Sequence, residues 1–397
     1  MAWTAVPEKP AGTPGSVWAV HGDPADPAVA AAQRGLSAAG VQVTDEGADI
    51  AVRYWPRPST DTEQATAAHE LAATALAELQ ALIALPPDQA PTCTIWVTRG
   101  AVAAAEGDTV PGLAQSVLWG LARSARSEHP DLGLTVLDLD FDRDGDGDGD
   151  VNSLLSAVAH SDEPELALRG AELFAPSLIR ARPAPSDRPT LIPTDGTVLI
   201  TGGLGAVGRH LARLLAENGV PRLLLTSRQG ADDPRAAEVT TELTALGAEV
   251  EVAACDVADA AAVADVLARI GDDSPLRGIV HCAGVLADGV LAELTPDRLA
   301  QVLRPKVDGA AHLHRLTADH PLDLFLLVSS AAGVVGNAGQ ANYAAANAFL
   351  DQLAHHRRAL GLPGTSVSFG AWAGEGLAAE HADLERMARL GHRALTP

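Results

Sequence analysis

Aromatic side chains are scarce in this chain: two tyrosines, five phenylalanines and six tryptophans among 397 residues. Its apolar share, 47%, is carried largely by alanine and valine, so the core is expected to be built from small side chains. Positive charge is scarce too. A formal charge of −23 with no local basic patch excludes binding to a phosphate backbone. No run of about 18 apolar residues occurs, and the start "MAWTAVPEKP" lacks a basic segment followed by an apolar one. A cytoplasmic protein is therefore expected. The three cysteines, Cys93, Cys255 and Cys282, are far apart and form no C-x-x-C pair, which excludes thiolate metal chelation and points to buried free thiols.

At 40.7 kDa the chain exceeds one ordinary core, and two units are expected. The first half alternates short apolar strands ("SVWAVHG", "VQVT", "IAVRYW", "CTIWVTRG", "LTVLDLD") with alanine-rich helical patterns such as the one from about Thr62 to Leu85. That alternation gives an α/β sheet with crossover helices. None of its strand-to-helix turns carries a glycine fingerprint, and the turn "VHGDPADP" has one glycine among prolines, so this half reads as a Rossmann-type domain without a nucleotide site. The run "FDRDGDGDGD" (141–150) suggests a calcium loop, but every register lacks the bidentate glutamate, which leaves a solvated loop. A Pro- and Ser-rich linker spans 180–196, placing a structural unit over 1–190 and a second unit over 191–397.

The second half repeats strand and helix in the order of a doubly wound parallel sheet. It opens with "TVLITGGLGAVG", in which Gly203-x-Gly205-x-x-Gly208 follows a strand and begins a helix, the dinucleotide fingerprint. Thr226-Ser227-Arg228 ends the next strand with a hydroxyl and a guanidinium rather than an acid, which favours the 2′-phosphate of NADPH over NADH; a solvated Arg228 is the plainer alternative. At the third strand end Asp256 and Val257 are placed to meet adenine, although Asp256 could equally cap the following helix. Ala283 and Gly284, in "HCAG", offer small residues for close approach of a cofactor ribose.

"QANYAAANAF" carries Tyr343 and, one helical turn on, Asn347. A phenol of pKa near 10 suits proton donation to a developing alkoxide, and Ser330 lies thirteen residues earlier at a strand end. This spacing resembles the short-chain dehydrogenase/reductases, except that Asn347 stands where their lysine is usual and Lys306, in "RPKVDGA", stands where their asparagine is usual. With "TSRQG", "SSAAGVVGNAGQANYAAANAFLD", "FGAW" and, in the first half, "WVTRGAV" and "QSVLWGLARSARSEHPDLG", the exchange resembles the ketoreductase domain of modular type I polyketide synthases over nearly the whole chain.

The resemblance implies two Rossmann-like doubly wound subdomains, the second of the short-chain dehydrogenase/reductase fold. It implies Tyr343 as general acid, Ser330 as carbonyl-binding hydroxyl, Lys306 lowering the phenol's pKa and binding the nicotinamide ribose, and Asn347 holding the proton relay. Gly202 and Leu204 join the cofactor turn. NADPH would reduce the β-keto group of a chain carried by an acyl carrier protein, with other synthase domains on the same polypeptide. Leu286-Ala287-Asp288, Val335 and Asn342 resemble the B-type pattern that gives a D-alcohol, and Trp372 belongs to the same substrate-facing set. Alanines around Tyr343 are expected to keep that helix slim beside cofactor and acyl chain. Both ends read as cut from a longer synthase. Two other readings, a redox-inactive docking module and a free-standing dehydrogenase on a small alcohol or sugar, explain fewer of these residues.

Overall fold

The computed structural model describes residues 1–7, 16–45, 47–57, 64–141, 148–160, 162–180, 192–372 and 394–395. Most of the 141–150 run suggested as a calcium loop, and the linker core at 181–191, lie outside these residues. Two compact units are present. The first comprises Met1–Arg182 together with Gly289–Pro296 and Val334–Ala345; the second holds Pro183–Asp288, Asp297–Gly333 and Ala346–Pro397. The linear division expected at 190/191 is thus incomplete, because two segments of the second half, one of them carrying Asn342 and Tyr343, pack within the first unit.

Among the described residues the first unit has eight strands: β1 (Ala2–Ala5), β2 (Val17–His21), β3 (Gln42–Val43), β4 (Ile50–Tyr54), β5 (Cys93–Arg99), β6 (Leu134–Leu139), β7 (Glu165–Arg169) and β8 (Glu172–Ser177). Their order is β1-β8-β7-β6-β5-β4-β2-β3. Strands β2 to β7 run parallel, whereas β8 is antiparallel to β7 and β1 to β8. The sheet is therefore mixed, and the hairpin β7–β8 escapes the periodicity of the sequence because "ELALRGAELFAPS" is neither strictly alternating nor uniformly apolar. Val29, Leu36 and Leu154 on helices Pro27–Ala38 and Asp148–Ala159 pack onto Val20, Val52, Val97 and Leu137 of the sheet.

In the second unit the six strands of the described residues are parallel: β9 (Thr197–Thr201), β10 (Arg222–Ser227), β11 (Glu249–Ala254), β12 (Leu276–His281), β13 (Leu324–Ser330) and β14 (Thr365–Phe369). The order β11-β10-β9-β12-β13-β14 reverses direction between β9 and β12. Such a switch point opens a crevice at the carboxyl ends of the strands, where doubly wound sheets take their ligands. Ala212, Leu215, Val239 and Leu243 cover Val198, Ile200, Leu223 and Leu225 in a core of small and medium aliphatics. Of the cysteines, only Cys255 is fully buried; Cys93 and Cys282 are half-buried, and all three are free. No helix of the described residues is long and apolar enough to cross a membrane.

Candidate active site

At the end of β9 the chain turns through Gly202 at φ 65°, and a Cβ there would stand 2.8 Å from the backbone nitrogen of Ala283. Only glycine allows the two central strand ends to approach this closely. Gly203 donates its N–H to the Thr226 carbonyl at 3.0 Å, Leu204 is buried, and Gly208 lies against the Gly202 carbonyl. Gly205 differs from its neighbours. It is the N-cap of helix Ala206–Glu217, no side chain caps that helix, and a Cβ on it would meet only the Gly202 carbonyl, at 3.2 Å. The helix's first N–H groups are thus left for an anion, which fits a dinucleotide pyrophosphate.

Beside this turn, Ser227 Oγ accepts from the Gly230 N–H at 3.0 Å, and Arg228 is exposed. Asp256 does not cap the next helix; Asp259 does, accepting from Ala261 and Ala262, while Asp256 accepts from the Ala258 N–H at 3.1 Å and remains exposed. Val257 is buried against Gly309. A Cβ on Gly284 would stand 3.0 Å from Lys306 Cε, so the glycine makes room for the lysine stem.

Lys306 is one of only two lysines in the chain, the other being Lys9. It sits on a π-helical turn, Arg304–Asp308, between helices Pro296–Leu303 and Gly309–Leu316. The sequence suggests a helix ending at Arg304; Pro305 instead removes one N–H from the ladder and the helix continues through a π turn, a distortion frequent at functional sites. Lys306 is buried and its Nζ donates to the Val328 carbonyl of β13 at 3.1 Å. Burial lowers its pKa from 10.5 to about 8, against the opposing pull of Cys282 and Asp351.

His281, in register with Thr201 across β12 and β9, is fully buried, and its Nδ1 lies 2.7 Å from the Thr201 hydroxyl. Burial and the Lys306 charge push its pKa down to about 3, so the ring is neutral. No hydrogen bond of ordinary geometry reaches its Nε2, although the backbone of Lys306 and Pro305 is close enough to favour protonation. Sequence reasoning passed over this histidine.

Ser330 closes β13, half-buried, and its Oγ accepts from the Ala332 N–H at 3.2 Å. Helix Ala341–Ala359 carries both Tyr343 and Asn347. Asn347 is fully buried; its carbonyl accepts from the Ser329 hydroxyl at 3.3 Å, and a Cβ on Gly333 would stand 2.8 Å from Asn347 Cβ. Ser330, Lys306 and Asn347 belong to the second unit, whereas Tyr343, half-buried, is counted with the first. The alanines beside it have a different role from the one expected. Ala341, Ala344 and Ala345 are fully buried by protein, and a Cβ on Gly120 of helix Ser116–Glu128 would stand 2.3 Å from the Ala344 carbonyl. They seat the tyrosine's helix on the first unit's own helix.

Among the residues expected to set configuration, Leu286 and Asp288 are half-buried and Asn342 is fully buried, its Oδ1 accepting from the Tyr343 N–H at 2.8 Å. Val335 is exposed, and Trp372 stacks on His210 of helix Ala206–Glu217 with centroids 5.4 Å apart.

Residues 196–374 match the family model described as the KR domain, and residues 1–178 match that of the Rossmann fold domain of polyketide synthase extender module SpnB. The chain is 41% identical over 401 residues to spectinabilin polyketide synthase system protein NorA of Streptomyces orinoci, covering 98% of this chain and 20% of that protein. It is 45% identical over 314 residues to polyketide synthase GfsB of Streptomyces halstedii, covering 77% and 6%. The chain thus spans only a small part of the curated relatives it matches. Solved structures described as A-type ketoreductases from a modular polyketide synthase and as an A1-type ketoreductase align at TM-scores of 0.87 and 0.84, each with 36% identity, covering 100% of this chain and 87% of theirs. A C2-type ketoreductase aligns at 0.81 with 31% identity, covering 100% of this chain and 89% of that one.

Proposed function

The chain belongs to the ketoreductase domains of modular polyketide synthases, and from that premise we propose that it uses NADPH to reduce the β-keto group of an acyl-carrier-protein-bound thioester to a β-hydroxyl of D configuration. The observation that carries this reading is the buried lysine on its π turn together with Tyr343 and Asn347 one turn apart on a single helix. A docking module would have no use for a buried ammonium, whose desolvation is costly without a charged task.

Bound NADPH would supply the hydride that reduces the β-carbon. The Tyr343 phenol gives its proton to the carbonyl oxygen as that atom gains negative charge. Ser330 already accepts from a backbone N–H, which orients its own O–H to donate to the same oxygen. Lys306, cationic below about pH 8, draws the phenol's pKa towards neutrality and offers donors to the nicotinamide ribose. Asn347, held through Ser329, keeps the proton path to Tyr343 in register. The open N-terminus at Gly205 would hold the pyrophosphate, and Ser227 and Arg228 would hold the 2′-phosphate.

The configurational part of the reading rests on Leu286, Asp288, Val335 and Asn342 alone; the backbone aligns with ketoreductases described as A-, A1- and C2-type, at TM-scores of 0.87, 0.84 and 0.81. The carrier protein and neighbouring synthase domains as partners, and a place in the cytoplasm, come with the same reading.

The test is NADPH consumption with a β-ketoacyl thioester, with chiral chromatography of the product. Tyr343→Phe is expected to lower kcat by about 10²–10⁴-fold while leaving NADPH affinity unchanged. A folded phenylalanine variant that reduces at the parent rate would refute the assignment, and an L-alcohol would refute the configurational part.

A further inference from the structure

Glu128, at the end of helix Ser116–Glu128, has no part in the chemistry above, yet its carboxylate joins two distant segments. Oε2 accepts from the Leu291 N–H at 2.7 Å and Oε1 from the Gly339 N–H at 2.8 Å. The two segments also meet directly: the Gly289 N–H donates to the Gly339 carbonyl at 2.8 Å, and Gly289 pairs with Gln340 as a parallel bridge. Gln80 Nε2 donates to the carbonyls of Leu291 and Leu294 at 3.0 and 2.8 Å, and Ser124 Oγ accepts from the Asn337 N–H at 3.3 Å. A Cβ on Gly336 would stand 2.5 Å from the Arg123 carbonyl, so the second segment lies directly on this helix.

The second of these segments carries Val335 and Asn342, and the first is continuous in sequence with Leu286-Ala287-Asp288. Gly289 follows Leu286-Ala287-Asp288 without an intervening residue, and Gly339 precedes Asn342 and Tyr343 by three and four positions. A carboxylate accepting two backbone N–H groups makes two charge-assisted bonds with fixed directions, which sets the spacing of the two segments. We infer that Glu128, in the unit that lacks the fingerprint, is a positioning residue for stereocontrol, holding the Gly289–Pro296 and Val334–Ala345 segments of that unit in one register. This rests on the reading of Leu286, Asp288, Val335 and Asn342 as substrate-facing.

Glu128→Gln tests it with almost no change of volume. An amide keeps one acceptor oxygen, but its NH₂ then faces a backbone N–H whichever way it flips, so one bond becomes a donor–donor conflict. In the full chain with NADPH and a β-ketoacyl thioester, the variant is expected to lose at least tenfold in the ratio of major to minor alcohol and about tenfold in kcat, with NADPH affinity changed less than twofold. Amide hydrogen exchange in the cofactor-free chain is expected to accelerate at least tenfold in peptides covering 286–296 and 334–345 and to remain unchanged in those covering 197–230. Glu128→Asp, which keeps charge but loses reach, is expected to fall between parent and glutamine.

A folded Glu128→Gln protein with the parent's alcohol ratio and exchange rates overturns the inference. So does acceleration spread evenly over the chain, which is the mark of a merely structural role. If the parent itself gives the L-alcohol selectively, the configurational reading fails, while the loss of selectivity in Glu128→Gln still decides the role of Glu128. If the parent reduces nothing, the proposed function fails and hydrogen exchange alone decides the register.

Discussion

Two strand-to-helix turns at the switch points of two sheets have opposite fates. In the first unit β2 runs through Gly22 to Asp26, which caps helix Pro27–Ala38 by accepting from the Ala28 N–H at 3.0 Å. The same carboxylate pairs with Arg99 at 3.0 Å, and that guanidinium lies 5.2 Å from the Tyr54 ring centroid. A Cβ on Gly22 would stand 2.5 Å from Val29 Cγ2, so the turn is filled by the protein's own side chains. In the second unit the helix after β9 starts at Gly205 with no capping side chain. A helix N-terminus attracts anions wherever it occurs. The comparison shows that whether it becomes a ligand site depends on whether the protein has already supplied the anion.

Removing the supplied anion is the harshest way to break the comparison. Asp26→Ala takes away a cap and leaves Arg99, 1% exposed, as an uncompensated buried cation. Loss of one partner of such a pair costs about 3–5 kcal/mol, read as a fall in unfolding free energy by urea titration. Affinity for NADPH per folded molecule is expected to stay the same. A loss below about 1 kcal/mol would show that the pair behaves as a solvated one.

The glycines sharpen the contrast, because the same substitution should do different things in the two turns. Gly205→Ala places its methyl where only the Gly202 carbonyl is near, so stability is expected to hold while NADPH affinity, by fluorescence titration, falls about 10–100-fold, or 1.4–2.7 kcal/mol. Gly22→Ala drives its methyl into Val29 and should cost about 1–3 kcal/mol of stability with binding unchanged. Equal effects on both properties in both variants would mean that the turns are not specialised.

How much of this was legible in the sequence depends on whether the signal is local. The Gly203-x-Gly205-x-x-Gly208 turn, the exchange of Lys306 and Asn347, and the parallel order of the second sheet are local patterns, and the structure has that turn and order. The pairing of β1 with β8 and the packing of 289–296 and 334–345 within the first unit are not, because contacts between residues 163 or more positions apart leave no periodic trace. The alanines around Tyr343 show the limit clearly. Their smallness is visible in the sequence, but their partner, Gly120, lies more than two hundred residues away. The π turn under Lys306 was half visible: Pro305 signals a break, yet only packing decides that the helix resumes at Gly309.

Lys306 gives a test by pH. Its folded pKa, about 8, lies below the ordinary 10.5, so the folded state binds this proton less tightly than the unfolded chain does. Its contribution to stability is therefore fully present above about pH 10.5 and is lost as pH falls towards 8. Activity moves the other way. As the ammonium discharges above about pH 8, the phenol loses its neighbouring cation, and kcat/KM for reduction is expected to fall with a slope approaching tenfold per pH unit. Lys306→Met, with no charge to lose, should have a low rate without that limb. An alkaline limb of the same position in the methionine variant would assign it to another group.

The smallest expected effect concerns two arginines after strands. Arg99, at the end of β5, is buried and committed to Asp26, whereas Arg228, just past β10, is exposed. An exposed guanidinium gains little from a single anion because water and salt screen the pair, about 0.2–1 kcal/mol per contact, and a doubly charged phosphate engaged also by Ser227 raises this modestly. Arg228→Ala should therefore reduce the preference for NADPH over NADH by about two- to tenfold, with the loss shrinking as salt rises from low to physiological strength. Comparing kcat/KM for the two cofactors at two salt concentrations measures it. An unchanged ratio would move cofactor choice to Ser227 and the backbone of the turn. A change of a hundredfold or more would mean that bound cofactor shields Arg228 from solvent as thoroughly as Asp26 and Tyr54 shield Arg99, making the second turn a mirror of the first once its anion arrives.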